Sequence, residues 1–417
     1  MQYEEIIADI FKRHPSVQNT GFNNVSYKAG IDSMKEFDSR LGFLWKAFPC
    51  IHVAGTNGKG SVSSMLSVSW AAHKNAPIGL YTSPHLLDFR ERIKIIRPEN
   101  GLHFEMIPKE DVLLFLEEQK NNIEHLSFFE ITTGMALWWF NRMKVAGAVI
   151  EVGLGGRLDS TNIITPVLSV ITSIGLDHCA MLGDSRDKIA GEKAGIIKKG
   201  IPALIWGKDR QTDSVFEDTA RQIGAPLYFA DEIIKNIPSV DLDLKGEYQN
   251  NNLRTTLSAL QLLGITPDLD ILSKTASISG LCGRWQILST RPTVICDIGH
   301  NPAALEYNFR QLESYKKKMH VVYGIMRDKA LDDIAPLFPG GDTQYYLCAP
   351  AGERALPVDV LYRKIKTARP DLDLTPCYSD EKEGSVTKAC RMARENAQAD
   401  DIIYIGGSNF VVAEALK

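Results

Sequence analysis

A short glycine-rich loop follows an apolar run near residue 50, and this pair constrains the fold more than any other feature of the sequence. The loop spans residues 55–61 and reads GTNGKGS. The run before it, residues 50–54, is typical of a buried parallel strand, and residues 62–73 favour a helix. Glycines let backbone N–H groups turn towards an anion, and a helix N-terminus adds the positive end of its dipole. This order of strand, loop and helix predicts a site for nucleotide phosphates.

The individual residues of the loop have predicted tasks. Lys59 supplies a positive charge for the outer phosphates, and Ser61 supplies a hydroxyl for a bound Mg²⁺. The general phosphate-loop pattern has four residues between its first glycine and Gly-Lys, with Ser or Thr directly after the lysine. Here only Thr56 and Asn57 separate the glycines, and Gly60 stands between the lysine and the serine. An ordinary tight turn is the alternative, but the flanking strand and helix favour a phosphate site.

The amino-acid composition excludes several classes of protein. At 417 residues, with 44% hydrophobic and 24% charged residues, the chain is expected to form two or three soluble globular domains. Its net charge of −4 provides no basic surface, so nucleic acid is not expected as a partner. No apolar stretch approaches the roughly 20 residues that span a bilayer, and the acidic N-terminus lacks the apolar core of a signal peptide. The seven cysteines include no C-x-x-C pair, which favours reduced thiols in a cytoplasm. A monomer without a membrane partner is expected.

Apolar runs alternate with amphipathic segments along the chain, which is typical of mostly parallel sheets covered by helices. The strands predicted in the first part are 51–54, 78–82, 146–152, 168–172 and 203–206. The helices predicted there are 61–73, 109–118, 128–144, 186–197 and 250–263. A second alternation supplies predicted strands at 294–298, 320–325, 345–349 and 402–405.

The joint between the two alternations is predicted at Arg291-Pro292, because the residue before a proline is disfavoured in a helix. It gives a first domain at residues 1–290 and a second at 291–417. The predicted fold class is α/β. An N-terminal P-loop-type domain with a mostly parallel sheet flanked by helices precedes a smaller C-terminal Rossmann-like α/β domain.

Polar residues follow several of the predicted strands. Ser83 comes after the second strand, and Glu151 ends the third. Asp177 and His178 lie beyond the fourth, and Asp297 follows a strand of the second domain. Because side chains at the C-terminal edge of a parallel sheet face the ligand crevice, we expect these residues to line a functional site.

Ten motifs, in this order over nearly the whole chain, resemble the folylpolyglutamate synthase and dihydrofolate synthase branch of the Mur ligase superfamily. They are HVAGTNGKGSV (52–62), TSPHL (82–86), SFFEITT (127–133), EVGLGGRLDSTN (151–162), TSIGLDH (172–178), GEKAGI (191–196), GEYQNNNL (246–253), CGRWQ (282–286), DIGHNPAA (297–304) and GSNF (407–410). The glycine after the loop lysine is itself a mark of this branch. The chain departs from the family pattern where CGR replaces Pro-Gly-Arg and DIGH replaces Asp-Gly-Ala-His.

The resemblance implies ATP-dependent amide synthesis. A pterin-linked carboxylate is activated as an acyl phosphate, and the α-amine of glutamate then expels the phosphate. The expected substrates are dihydropteroate, reduced folates and L-glutamate, with both synthase activities on one chain. Folylpolyglutamate synthesis alone, another Mur-type amino-acid ligase and a nucleotide-switched binding protein are the alternatives.

The resemblance also assigns residues to ATP, metal and catalysis. The ATP contacts that it implies are Asn57, Gly58, Lys59, Gly60, Ser61, Asn252, Arg284, Asp297 and His300. The implied metal ligands are Ser61, Ser83, Glu151, His178 and Lys193, the last as a carbamate formed with CO₂. The implied catalytic residues are Lys59, Lys193, His178 and Arg284. Two Mg²⁺ sites are expected, and a monovalent cation is compatible with the pattern.

For the pterin, the resemblance implies aromatic side chains that stack on the flat ring and polar groups that hold it. The implied pterin contacts are Gly30, Ile31, Ser127, Phe128, Phe129, Glu130, Arg157 and Leu158. A helix packed in the core is the alternative for the two phenylalanines.

Simpler structural roles remain open for several of these residues. Ser83 is also compatible with capping a turn, Glu151 with a surface position, and His300 with capping the following helix. Lys193 is also compatible with a solvated helix position paired with Glu192 or Asp187.

Overall fold

The computed structural model describes residues 3–15 and 30–417, which fall into two compact units. The first unit holds the described residues up to Asp243 together with Gln249–Leu281. The second unit holds Leu244–Tyr248 and Cys282–Lys417. The chain therefore enters the second unit briefly at Leu244–Tyr248 before it returns to the first. Within the described ranges, no helix is long and apolar enough to cross a membrane.

Among the described residues, eight strands form the sheet of the first unit. They are β1 (Cys50–Ala54), β2 (Ile78–Tyr81), β3 (Ile93–Arg97), β4 (His103–Met106), β5 (Gly147–Glu151), β6 (Leu168–Ile171), β7 (Ala203–Ile205) and β8 (Leu227–Phe229). Their order is β4-β3-β2-β5-β1-β6-β7-β8, in which β3 and β4 form an antiparallel extension and the others pair in parallel. The C-terminal ends of β2, β5, β1 and β6 therefore meet at one edge.

Helices cover this sheet. They are α1 (Tyr3–Arg13), α2 (Asp32–Leu41), α3 (Lys59–Lys74), α4 (Lys109–Gln119), α5 (Phe128–Arg142), α6 (Cys179–Leu182), α7 (Arg186–Ala194), α8 (Asp213–Ile223), α9 (Ala230–Ile233), α10 (Gln249–Leu262), α11 (Leu269–Ser273) and α12 (Thr275–Ser279). Helix α3 is buried at every residue from Gly60 to Ala71, because it packs against both the sheet and α10. A helix that is buried all round is held firmly, so the loop at its N-terminus has a fixed base.

The second unit is a smaller sheet of six strands. They are β9 (Gln286–Thr290), β10 (Thr293–Cys296), β11 (Met319–Tyr323), β12 (Thr343–Leu347), β13 (Asp373–Pro376) and β14 (Ile402–Gly406), in the order β13-β12-β11-β14-β10-β9. Only the β9–β10 pair is antiparallel within this sheet. Its helices are α13 (Pro302–Ser314), α14 (Leu331–Ile334), α15 (Val358–Ala368), α16 (Ser385–Asn396) and α17 (Asn409–Ala415). Short 3₁₀ turns occupy Leu44–Ala47, Phe89–Arg92, Ser160–Ile163 and Ala335–Leu337.

The predicted α/β class, with a mostly parallel first sheet and a smaller second one, is confirmed. The strands and helices predicted in both alternations are present, with ends displaced by a few residues. The predicted helix 186–197, for example, ends at Ala194, and the predicted strand 146–152 spans Gly147–Glu151.

The predicted joint between the domains was placed too far along the chain. Strands β9 and β10 pair across Arg291-Pro292, with Thr290 opposite Thr293, so this dipeptide is the turn of a hairpin inside the second unit. The units separate after Leu281 instead. Strand β9 was missed because it is only partly buried and therefore carries no clear apolar pattern.

Candidate functional site

The glycine loop between β1 and α3 has a backbone that only glycine accepts at two positions. Gly55 has φ +146°, and a Cβ there would lie 1.7 Å from Thr172 Oγ1. Gly58 has φ +91°, and a Cβ there would lie 2.3 Å from Asn252 Oδ1. These conformations and close approaches exclude other side chains. The two glycines therefore fix the path of the loop rather than merely loosening it.

The loop is also fastened to the segment that follows β6. Thr56 N donates to Ser173 O at 2.7 Å. Thr172 Oγ1 donates to Asn57 O at 2.8 Å, and Thr56 Oγ1 lies 3.1 Å from Gly175 O. The TSIGLDH motif therefore supports the loop, in addition to any role of its own polar residues.

Two lysines converge on one carbonyl of the loop. Lys59 Nζ donates to Gly55 O at 3.0 Å and to Thr56 O at 3.2 Å. Lys193 Nζ, on α7, donates to the same Gly55 O at 2.8 Å and is only 4% exposed. Burial, with the nearby Lys59 ammonium as a second cause, lowers the pKa of Lys193 to about 7, against the opposing pull of Asp177. Burial therefore favours the neutral form of this amine.

The solvated alternative for Lys193 is wrong. Glu192 Oε1 accepts hydrogen bonds from Arg157 Nη2 at 2.8 Å and Nε at 3.3 Å, so it pairs with Arg157 instead. Lys193 points inward because α7 buries Ile189, Ala190 and Lys193 on one face.

Glu151 and Ser83 meet at the ends of adjacent strands. Glu151 is the last residue of β5 and is 2% exposed, so the surface alternative for it is wrong. Ser83 follows β2, which pairs with β5, and its backbone N donates to Glu151 Oε2 at 3.2 Å. Two of the predicted metal ligands are thus adjacent.

His178 lies beyond β6, directly before α6, in a left-handed backbone conformation with φ +52°. Its backbone N–H donates to Asp177 Oδ1 at 2.9 Å, and its ring Nε2 lies 3.9 Å from the same oxygen. A non-glycine residue with positive φ is uncommon and is often found where function requires it.

The donor set fits a divalent cation that is shared with a nucleotide. Within the described residues, no three His, Cys, Asp or Glu side chains group as a complete metal cage. Mg²⁺ is typically held by one or two carboxylates together with substrate phosphates, and it prefers oxygen donors. Glu151 and the hydroxyls of Ser83 and Ser61 are oxygen donors of this kind.

Gln249 is a residue that the sequence did not single out. It begins α10, is 1% exposed, and its Nε2 donates to Ser61 Oγ at 3.1 Å. Asn252 Nδ2 in turn donates to Gln249 Oε1 at 2.8 Å. Asn252, predicted to contact the nucleotide, therefore lies against the glycine loop at Gly58 and orients Gln249. Only the surrounding GEYQNNNL motif marked this stretch, because a buried amide contact leaves no pattern in sequence.

In the second unit, Asp297 is enclosed by hydrogen-bond donors. Its Oδ2 accepts from Tyr248 Oη at 2.6 Å and from Trp285 N at 2.8 Å. Its Oδ1 accepts from Gly299 N and from Asn308 Nδ2, both at 2.7 Å. The side chain is 3% exposed. Its environment suits an organiser of the surrounding loops, and its contact with ATP stays a prediction.

Arg284 and His300 lie on loops beside this carboxylate. Arg284 Nη1 donates to Cys282 O at 3.2 Å, within the exposed turn before β9. His300 Nδ1 lies 2.9 Å from Ile298 O. The capping alternative for His300 is wrong, because Asn301 caps α13 by accepting from Ala304 N at 3.0 Å.

The residues predicted for the pterin have mixed environments. Ser127 and Glu130 form a capping box at the start of α5, in which Ser127 N donates to Glu130 Oε2 at 2.7 Å. Phe128 is 4% exposed and belongs to the core, as the alternative interpretation predicted. Phe129 is only partly buried and packs 5.9 Å from the ring of Tyr81, so it keeps an accessible face.

The remaining pterin candidates are accessible loop residues. Gly30 and Ile31 are half-buried just before α2, and Leu158 is half-buried in the GLGGRLD loop. Arg157 is exposed and paired with Glu192. The structure leaves each of them accessible to a ligand.

Comparison with known proteins places this geometry in a family. A family model described as Mur ligase, glutamate ligase domain, matches residues 283–409. The dihydrofolate synthase/folylpolyglutamate synthase of Haemophilus influenzae is 30% identical, over 92% of each chain. The structure of E. coli FolC in complex with DHPP and ADP superposes with a TM-score of 0.82 at 27% identity, covering 100% of this chain and 97% of that one.

A second solved structure adds further ligands. It is a bifunctional folylpolyglutamate synthase/dihydrofolate synthase with Mn, AMPPNP and L-glutamate bound, with a TM-score of 0.80 at 26% identity, and it covers 100% of this chain and 97% of that one. The likeness to these proteins extends over both units. The chain therefore belongs to the dihydrofolate synthase/folylpolyglutamate synthase family of Mur ligases.

Proposed function

We propose that this protein is an ATP-dependent ligase that joins L-glutamate to the carboxylate of a pterin acid or folate, with both dihydrofolate synthase and folylpolyglutamate synthase activity. The observation that carries the proposal is the glycine loop with two lysines at Gly55 O, one of them buried and easily neutralised. The full-length relative from Haemophilus influenzae carries both activities in its name. The solved relatives contain a nucleotide, a divalent ion, DHPP or L-glutamate.

The chemistry requires activation because a carboxylate is a poor electrophile. A carboxylate oxygen bonds to the γ-phosphorus of ATP while the bond from that phosphorus to the β-phosphate oxygen breaks, which gives ADP and an acyl phosphate. The α-amine of glutamate then bonds to the acyl carbon, the bond to the phosphate oxygen breaks, and the amine loses its proton. Transfer of this kind depends on positioning and on cations that offset the phosphate charge.

The loop supplies part of that charge. Lys59 and the N-terminal N–H groups of α3 are assigned to the β- and γ-phosphates. Lys59 now donates to loop carbonyls at 3.0 and 3.2 Å, which are contacts that phosphate oxygens would replace. Arg284, on the second unit, is assigned to the transferred phosphate because a guanidinium holds phosphate oxygens in pairs. Asn252 and Gln249 are assigned to holding the loop, and His300 remains assigned to the nucleotide.

The metal would be held at the ends of β2, β5 and β6. Ser61, Ser83, Glu151, His178 and a carbamylated Lys193 are the assigned ligands, over two Mg²⁺ sites. Bound Mg²⁺ neutralises charge on the phosphates and holds donor and acceptor in line. The carbamate is supported by the burial of Lys193 and by its pKa of about 7.

The pterin ring is assigned to the accessible face of Phe129. Gly153 lies against the ring of Phe129, since a Cβ at Gly153 would be 2.4 Å from Phe129 Cζ. The position of the Phe129 ring is therefore fixed. Arg157 and Leu158, together with Gly30 and Ile31, are assigned to the rim of the pocket. Ser127 and Glu130 act by starting helix α5 beneath it.

A cytoplasmic location and a monomeric state are part of the proposal. They are supported by the family's small-molecule substrates and by seven cysteines that form no disulfide in the structure. Size-exclusion chromatography with light scattering would test the monomer directly.

The proposed function is tested by measuring the masses of the reaction products. Purified protein is incubated with ATP, Mg²⁺ and L-glutamate, and either dihydropteroate or tetrahydrofolate is offered separately. We expect both acids to gain one glutamate by mass spectrometry, with one ADP formed per amide bond. A product from tetrahydrofolate alone would reduce the function to folylpolyglutamate synthesis. A product from neither acid would overturn the proposal.

A further inference from the structure

The chain passes from the second unit back to the first at two neighbouring residues that are each anchored by a buried hydrogen bond. Tyr248 ends the segment that belongs to the second unit, and its hydroxyl donates to Asp297 Oδ2 at 2.6 Å. Gln249 begins α10 in the first unit, and its Nε2 donates to Ser61 Oγ at 3.1 Å. Tyr248, which binds the buried carboxylate of Asp297, is therefore joined by a single peptide bond to Gln249. Gln249 in turn binds the hydroxyl of Ser61 in the glycine loop.

The segment before this junction is tied to the second unit and cannot slide freely. Glu247 N donates to Gln311 Oε1 at 2.8 Å, and Gln311 Nε2 donates to Lys245 O at 3.0 Å. Gln311 lies on α13. The segment therefore has little slack, and we expect a displacement at Gln249 to act on Tyr248.

Asp297 connects Tyr248 to the turn that carries Arg284. Its Oδ2 also accepts from Trp285 N at 2.8 Å. Trp285 is fully buried with φ +48°, a left-handed conformation that is costly for a bulky side chain. Such strain persists only where the surroundings over-determine the backbone. Because Arg284 precedes Trp285 directly, the same carboxylate sets the direction of Arg284.

The hydrogen bond between Gln249 and Ser61 is where a ligand of the glycine loop would act on these contacts. The Ser61 hydroxyl oxygen accepts the hydrogen bond from Gln249 on one of its two lone pairs, so a cation bound to the other lone pair would lie close to the amide N–H of Gln249. Because the positive end of the N–H and the cation repel each other, we expect a cation at Ser61 to weaken the Gln249 contact.

We propose that Tyr248 and Gln249 are positioning residues that couple the state of the phosphate loop to the orientation of Arg284. The inference rests on the proposed function, since that function assigns Arg284 to the transferred phosphate. Neither residue needs to touch a substrate. Their effect on turnover passes through Asp297 and Trp285.

Removal of the Tyr248 hydroxyl tests the second-unit half of the coupling. Tyr248→Phe is expected to lower kcat about tenfold and to change the Kd for ATP less than about twofold. In an Arg284→Lys background it should lower kcat less than about twofold, because residues that act through one another are not additive. Tyr345→Phe is the matched control, since Tyr345 is also buried and donates to Pro339 O at 2.6 Å away from Asp297. Equal factors in both backgrounds would overturn the inference.

A glycine inserted between Tyr248 and Gln249 tests the junction itself. The insertion leaves every hydrogen-bonding group present but removes the fixed spacing, and a helix start tolerates glycine. We expect a fall of about tenfold or more in kcat with ATP binding retained. A glycine inserted between the exposed residues Pro238 and Ser239 is the control and should leave kcat unchanged. Full turnover in the junction variant would overturn the inference.

Hydrogen exchange separates failure of the inference from failure of the proposed function. AMPPNP with Mg²⁺ is expected to change the exchange rate of the Trp285 amide in the wild type and in the control insertion, but not in the junction insertion. This readout needs no turnover, whereas the wild-type product assay tests the function. An equal response of Trp285 in all three proteins would overturn the coupling even if the ligase activity is present.

Discussion

Lys193 in the first unit and Asp297 in the second are both almost fully buried charged groups, but their surroundings differ. Lys193 donates to one backbone carbonyl and lies near a second cation, Lys59, and its pKa falls to about 7. Asp297 accepts four hydrogen bonds, two on each oxygen. A buried charge that is poorly compensated changes its protonation easily and is a candidate for chemistry. A fully compensated one is better suited to holding backbone in place.

The difference between these two buried groups suggests different roles for the two units. The first unit would supply the reactive centre, with Lys193, Glu151 and the glycine loop at one sheet edge. The second would hold Arg284 in position through Asp297.

Lys193→Ala should have the largest effect, because it removes both the buried amine and any metal ligand formed from it. We expect kcat to fall at least about 10³-fold. Lys199→Ala, at an exposed position a few residues further on, is the control and should retain activity. Steady-state assays with both pterin acids measure the effect. Turnover within tenfold of the wild type would place the reactive centre elsewhere.

Arg284→Ala should have a smaller effect that is confined to turnover. We expect kcat to fall about 10²-fold while the Kd for ATP changes less than about threefold, since the contact matters for the transferring phosphate. Equilibrium binding of ATP and initial rates together separate the two quantities. Arg363→Ala, on the exposed face of α15, is the control. Unchanged turnover would remove Arg284 from the mechanism.

Gly58→Ala tests whether the loop is as constrained as its backbone suggests. The added Cβ would lie 2.3 Å from Asn252 Oδ1 at a φ of +91°, so we expect a loss of about 3 kcal/mol in the free energy of unfolding. Gly224→Ala is the matched control, with φ +76° but nothing within 4 Å of the new Cβ, and should lose only about 1 kcal/mol. Denaturant titration measures both. Equal losses would mean that the close contact relaxes without cost.

Acid should weaken the first unit before the second. Burial, with Lys198 as a minor cause, lowers the pKa of His52 in β1 to about 3. Because the unfolded histidine takes up its proton first, near pH 6.5, stability present above that pH is lost as the pH falls towards 3. The expected loss between pH 6.5 and 5.5 is about 1 kcal/mol.

His320 in β11 provides the internal comparison. Burial lowers its pKa too, but Asp401 opposes the shift through a contact of 3.3 Å. Hydrogen exchange of β1 should therefore be more sensitive to mild acid than that of β11, and His52→Gln should remove the difference. Equal sensitivity in the wild type would contradict the assignment.

Prediction from the sequence was most successful where a residue type occurs in only a few kinds of structural environment. Glu151 at the end of an apolar strand and the glycines of the loop pointed correctly to buried or strained positions. The apolar runs of β1, β5 and β6 predicted the parallel sheet because strands buried on both faces are apolar throughout.

The parts that were missed depend on contacts between distant segments. Strand β3 contains Lys94, which is 3% exposed because its ammonium donates to Ser279 O at 2.7 Å, and no local pattern shows that partner. The contact of Gln249 with Ser61 joins residues 188 positions apart. The saturation of Asp297 requires donors from four separate places in the chain, so its role as an organiser was not predictable from its motif.

Tracing the oxygen atoms of the substrate shows whether the γ-phosphate of ATP is transferred to the carboxylate of the acid. Dihydropteroate labelled with ¹⁸O in its carboxylate is converted with ATP, Mg²⁺ and L-glutamate, and the inorganic phosphate is analysed by mass spectrometry. An acyl phosphate requires one labelled oxygen to leave with the phosphate for every amide formed. Amide formation that releases only unlabelled phosphate would contradict the account.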